Sequence, residues 1–165
     1  MKIKIKEPLS TGLYILTGIL LAFGINSGLG LALSTDLPIV AVESNSMMPT
    51  FIKGDILILQ GTGSYDIGDI IVFSPGENRI PVVHRIVAIN TDGSYQTKGD
   101  ANNSQLPFEK QIEENQVHGK VILIVPYLGW VKIGITEFVL PNILWVAGLV
   151  IFLYILVIVL GKGWR

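Results

Sequence analysis

A few side chains of this 165-residue chain could cooperate in hydrolysis. Ser44-Asn45-Ser46-Met47-Met48-Pro49 directly follows a strand-like run. A serine in a tight turn at a strand end can present its hydroxyl outward, with backbone N–H groups gathered around a developing oxyanion. Pro49 fixes one backbone angle and restricts Met48. A hydroxyl is a weak nucleophile until a base takes its proton. His84, within Val82-Val83-His84-Arg85-Ile86, is the candidate base, because imidazole titrates near neutrality. The alternative is a strand histidine bonded to a backbone carbonyl. Asp100 closes Thr97-Lys98-Gly99-Asp100, where a carboxylate could orient the imidazole; Gly-Asp followed by Ala101-Asn102-Asn103 is also good turn chemistry. Lys98 is a second possible base, and His118, beside Gly119 at an expected strand start, reads as structural. With no cysteine and two isolated histidines, there is no zinc ligand set. The glycines are scattered through hairpins rather than collected in a phosphate loop, so neither metal nor cofactor is expected.

These residues need a scaffold, and the middle of the chain supplies the pattern of one. Between Asp36 and Leu140 short β-branched runs occur at Pro38–Val42, Ile56–Leu59, Ile70–Phe73, Val82–Ile89 and Val121–Val125. Turn signals separate them, among them Lys53-Gly54-Asp55, Gly61-Thr62-Gly63, Gly68-Asp69 and Ser74-Pro75-Gly76. Asp92-Gly93 reads as a hairpin turn between Ile86–Asn90 and Ser94–Thr97. Such spacing predicts a mainly β, antiparallel sandwich or barrel-like domain over residues 35–140. The stretch Asp100–Glu114 is polar and is expected to be irregular.

The ends differ from the middle. Half of the chain is hydrophobic and only 15% is charged, against roughly a quarter charged in an ordinary soluble domain. The excess lies in two uncharged runs. Thr11–Leu33 and Asn142–Leu160 each match the length of a bilayer's apolar core, and Trp145 and Trp164 flank the second as interfacial aromatics do. Spans are therefore expected at 11–34 and 141–161, with flanks at 1–10 and 162–165. A buried core helix is the alternative for the second run. A cleaved signal sequence, with Lys2, Lys4 and Lys6 before it and Ala32-Leu33-Ser34 after it, is the alternative for the first. The flanks hold Lys2, Lys4, Lys6, Lys162 and Arg165 against one acid, Glu7, whereas the middle holds seven basic and twelve acidic residues. Basic flanks favour the cytoplasm and leave the acidic middle outside, in a multi-pass arrangement at the cell membrane. A net charge of −1 without any basic run gives no footprint for nucleic acid.

In order, these segments resemble the boxes of the type I signal peptidases. Ser44-Asn45-Ser46-Met47-Met48-Pro49-Thr50-Phe51 with Lys53-Gly54-Asp55 looks like the nucleophile box, and Gly68-Asp69-Ile70-Ile71-Val72-Phe73 like the next strand. Val83-His84-Arg85-Ile86 looks like the base box, Thr97-Lys98-Gly99-Asp100-Ala101-Asn102 like the box after it, and Val125-Pro126-Tyr127-Leu128-Gly129-Trp130-Val131 like the closing motif. Histidine rather than lysine in the base box is similar to the archaeal and endoplasmic-reticulum type. The resemblance implies a serine endopeptidase that removes signal peptides after small residues, with Ser46 attacking and His84 accepting its proton. The Ser46 N–H and the Ser44 hydroxyl would hold the oxyanion. Shallow substrate pockets would be lined by Ile39, Val40 and Val83. Its partners would be preprotein signal peptides, the lipid bilayer and, in some members, accessory subunits. An apolar surface near the site would dip towards lipid; side chains such as Met47, Met48 and Phe51 could supply it, although packing into the domain is the more frequent fate of such residues. The third member departs from the pattern. Where the endoplasmic-reticulum type offers a second aspartate, this chain has Leu106. Asp100 is then the expected acid, and Glu109 the only nearby substitute. An impaired homologue acting as a membrane scaffold, and an unrelated ligand-binding β-domain, are the competing readings.

Overall fold

The computed structural model describes residues 7–76 and 79–162. Six strands form one antiparallel sheet: β1 (Ile39–Ala41), β2 (Ile56–Gln60), β3 (Ile70–Phe73), β4 (Val82–Ile89), β5 (Tyr95–Lys98) and β6 (Val117–Val125), in the order β1-β2-β6-β3-β4-β5. β1 and β5 are the edges and do not pair with each other. The antiparallel β character agrees with the sequence pattern, but neither a two-sheet sandwich nor a closed barrel describes the result.

Alternation along the strands gives the sheet an apolar layer on each face. Leu57, Leu59 and Val72 pack with Val42, Met47 and Phe51 in one buried cluster. Ile71, Phe73 and Ile86 pack with Tyr65, Tyr95 and Ile112 in the other. Met47 and Phe51 thus pack into the core, the commoner fate of such side chains, and of the three candidates for a lipid-facing surface only Met48 is exposed. Two segments outside the apolar runs are ordered, the first at the strand start expected beside His118 and Gly119. β6 begins at Val117, four residues before its apolar run. The polar stretch 100–114 contains a one-turn 3-10 helix at Pro107–Glu109 and an Ile112 bridge to Tyr95.

A long helix, α1 (Glu7–Leu33), precedes the sheet. Its window Ser10–Ala32 is uncharged and uncovered by the rest of the protein. Ser34, at φ 53°, ends it in the left-handed conformation, and the Thr35 N–H turns back to the Gly30 carbonyl (3.0 Å). The exit is then tied to the sheet. The Gly61 N–H donates to the Leu33 carbonyl (2.9 Å), and Thr35 Oγ1 to the His118 carbonyl (2.6 Å). His118 is held at both ring nitrogens: Nδ1 lies 2.9 Å from both Asp36 carboxylate oxygens and Nε2 lies 2.8 Å from Ser74 Oγ.

After the sheet come α2 (Trp130–Ile133), a π-helical stretch Gly134–Val139 and α3 (Ile143–Lys162). Among the described residues α1 alone has the length and apolarity to cross a membrane by itself. Trp130–Val139 and Ile143–Leu149 reach that measure only as a pair bent by 92°. The basic residues Lys2, Lys4, Lys6 and Arg165, and Trp164, lie outside the described residues.

Candidate active site

β5 ends at Lys98, opposite Arg85 of β4. His84 is therefore the first residue of β4 with no β5 neighbour, and the Ser46 turn occupies the vacated edge. The Ala101 N–H, just past β5, holds the Ser46 carbonyl at 2.9 Å. Ser46 Oγ then sits 2.9 Å from His84 Nε2. Ser44 Oγ is 3.2 Å from Ser46 Oγ. The Met48–Pro49 peptide that follows is cis.

The other imidazole nitrogen, Nδ1, is hydrogen-bonded to Glu109 Oε1. Glu109 is fully buried and His84 is 3% exposed. The remaining capacity of the carboxylate is used: Thr97 Oγ1 donates to Oε1 (3.3 Å) and the Leu106 N–H to Oε2 (2.6 Å). A buried carboxylate needs such partners. Pro107 at the first position of the short helix and Glu109 at its third make the turn that aims the side chain back at its own start.

The carboxylate hydrogen-bonded to His84 is thus Glu109, whereas Asp100, the expected acid, is paired elsewhere. Arg85 occupies Asp100 from two nitrogens, Nε to Oδ1 at 2.9 Å and Nη2 to Oδ2 at 2.7 Å. Thr50 Oγ1 adds a third bond to Oδ2 at 2.5 Å. Donation from Arg85, foremost, holds the Asp100 carboxyl below the usual carboxylate range, and the same pairing raises the guanidinium. Adjacent residues in β4 alternate faces, so Arg85 points away from the side that His84 serves. Asp100 goes with Arg85 and Glu109 with His84. The sequence signal for Glu109 was present but weak: a Leu-Pro-x-Glu helix start inside a polar loop, with nothing local to show that its glutamate is buried. Lys98 lines a different surface depression, with Lys110 and Gln105.

The boxes meet through close backbone approaches. A Cβ on Gly99 would lie 2.8 Å from His84 Nε2 and 2.7 Å from the Ser46 carbonyl oxygen. Gly54, at φ +96°, lies under the Trp130 indole, where a Cβ would come within 2.1 Å of the ring nitrogen. Buried Asp55 accepts from the Ile52 N–H (2.9 Å) and the Tyr127 N–H (3.0 Å), joining the nucleophile turn to the closing motif.

A groove of about 930 Å³ opens beside Ser46 and His84. Ile39, Val40 and Val83, the expected pocket residues, lie along it, as do Leu106 and Phe108. Ala22, Ile25 and Asn26 of α1 line it as well.

Serine, imidazole and buried carboxylate in one hydrogen-bonded line is the arrangement of serine hydrolases, carried here on a β-domain beside an apolar helix. The family model for signal peptidase, peptidase S26, matches residues 13–100. A signal peptidase complex catalytic subunit from Komagataella phaffii is 38% identical over 131 residues, covering 70% of this chain and 77% of the relative. The corresponding subunit from Pyricularia oryzae is 35% identical over 127 residues, covering 70% and 74%. That from Dictyostelium discoideum is 35% identical over 121 residues, covering 67% and 68%. The chain belongs to the signal peptidase family and is a hydrolase of peptide bonds.

Proposed function

We propose that this chain removes signal peptides from preproteins with Ser46 as nucleophile, His84 as general base and Glu109 as the carboxylate that orients the base. The observation that carries the reading is the line Ser46 Oγ–His84 Nε2 and His84 Nδ1–Glu109 Oε1. With Nδ1–H donated to Glu109, the Nε2 lone pair faces Ser46, which is the tautomer a base needs. Ser46 Oγ attacks the scissile carbonyl as its proton passes to Nε2. The oxyanion is held by the Ser46 N–H and the Ser44 hydroxyl. On collapse the C–N bond breaks, and the imidazolium returns the proton to the leaving amine. A water, deprotonated by His84, then hydrolyses the acyl-enzyme and releases Ser46.

The groove supports an extended substrate with small residues before the cut. Ile39, Val40 and Val83 give it apolar walls, and among the described residues no strand pairs with the outer edge of β1. The scaffold reading loses its motive. It rested on Leu106 standing where an aspartate was expected, and a carboxylate reaches His84 from three residues further on.

For the placement, we read 11–34 and 141–161 as spans, residues 35–140 as the catalytic domain away from the cytoplasm, and both short basic flanks as cytoplasmic. The exposed apolar side chains of Tyr127, Leu128, Val131 and Phe138 beside the bend fit a position at the lipid surface. The relatives are named as subunits of a signal peptidase complex, which supports accessory subunits here as well. The test is cleavage of a preprotein in proteoliposomes by Ser46→Ala. The expected loss is at least about 10⁴-fold in kcat, and cleavage within a few-fold of the parent overturns the reading.

A further inference from the structure

One polar side chain of the apolar helix is unused by the catalytic reading. Asn26 lies six residues inside the Ala32 end of the apolar window of α1, roughly 9 Å along the axis at 1.5 Å per residue. A carboxamide at such depth is costly unless it is paired. Asn26 is exposed, and its side chain has no hydrogen bond to any described residue. Its direction is defined, because Ala22, Ile25 and Asn26 stand at i, i+3 and i+4 on one helix face and all three line the groove that holds Ser46 and His84. That face is held in place by the α1 exit, where Leu33 is bonded to Gly61 and Thr35 to His118. Ile39, Val40 and Val83, which line the same groove, offer only apolar side chains.

We propose that Asn26 is a substrate-positioning residue whose carboxamide pairs with the backbone of the extended segment just before the scissile bond. The inference rests on the catalytic reading above. Such a segment leaves its own helix before it reaches Ser46, so it brings unpaired N–H and C=O groups to lipid depth, where no bulk water satisfies them. One carboxamide carries an acceptor and two donors, enough to meet a C=O and an N–H on one edge of an extended strand. Backbone pairing of this kind is blind to side-chain identity, which suits an enzyme that reads many preproteins.

The experiment uses the full chain in proteoliposomes with a preprotein that carries its whole apolar segment. Asn26→Leu is expected to raise KM about 10-fold with kcat within about two-fold of the parent, and Asn26→Gln to recover most of the loss. An unchanged KM for Asn26→Leu overturns the proposal, as does a KM that Asn26→Gln fails to restore. A second arm places a photo-crosslinking amino acid at position 26, or at Leu20 on the opposite face of α1, in a Ser46→Ala background. Crosslinks to the uncleaved preprotein from 26 but not from 20 are expected. Equal yields, or none from 26, overturn the proposal even if Asn26→Leu inserts poorly. Cleavage by the Ser46→Ala parent of these variants would instead sink the catalytic reading, so the two failures are separable.

Discussion

Gly99 shows how little room the reacting atoms have. A single added methyl group would meet His84 Nε2, the Ser46 carbonyl and the Asn102 amide together, each at 2.7–2.8 Å. The serine turn and the base strand cannot both keep their places around it. Because misplacement of reacting groups by an ångström can cost about 100-fold, Gly99→Ala should lower kcat by about that factor or more while circular dichroism stays that of the parent. Retained turnover would show that the serine turn and the base strand can part around position 99 without loss of the Ser46–His84 contact. The two acids separate just as sharply. Glu109→Gln leaves an amide that can present its N–H to Nδ1 and favour the wrong tautomer, so kcat should fall by about 10²–10⁴-fold. Asp100→Asn leaves the Ser46–His84–Glu109 hydrogen bonds in place and should cost less than about 10-fold. The reverse ranking would return the orienting role to Asp100.

Asp100 matters one level up, where elements are fastened to one another. Arg85 on β4, Asp100 after β5 and Thr50 after the serine turn form one brace, and it fixes the three segments whose neighbours are His84, Gly99 and Ser46. The Asp100 carboxyl is held below its ordinary value by Arg85. Its contribution is therefore complete above the ordinary carboxyl range and is lost as pH falls through the lowered value. The pair is partly exposed, with side chains 33% and 18% accessible, so its worth is about 1 kcal/mol after screening. Thermal melts should show the parent losing stability from about pH 5 downward and Asp100→Asn starting lower and depending less on pH. Parallel melting curves would remove Asp100 from the brace. At this scale much was legible in the sequence. The runs Ile70–Phe73 and Val82–Ile89 are β3 and β4 residue for residue, because a buried β-branched run is a local signal. A strand start beside His118 and Gly119 was legible, but its place in the sheet was not, since the pairing of Val117, Gly119 and Lys120 with Phe73, Val72 and Ile71 is decided by strands far away in sequence. Glu109 was missed as the first choice for the same reason. Its burial is created by Thr97 and His84 from the sheet, and no neighbour in the chain announces it.

For the whole molecule, the open sheet gives the groove its setting. Residues of β1 at one edge, of the start of β4 and of α1 all line the groove that holds Ser46 and His84. The charge pattern supports placing this groove on the face away from the cytoplasm, with basic flanks behind it. The decisive element is the 92° bend between Trp130–Val139 and Ile143–Leu149. If α3 crosses the bilayer, the bend is where a surface segment turns down into a span. If α3 lies along the surface, the chain has a single anchor. Epitope tags at the two ends of the chain in sealed, right-side-in vesicles distinguish these cases. Protease added from the cytoplasmic side should remove both tags and leave residues 35–140 protected. Removal of the N-terminal tag alone would place the C-terminus with the catalytic domain. It would reduce the protein to one span and make the bend the start of an interfacial helix, with Trp145 and Phe152 lying in the headgroup layer rather than facing the acyl chains.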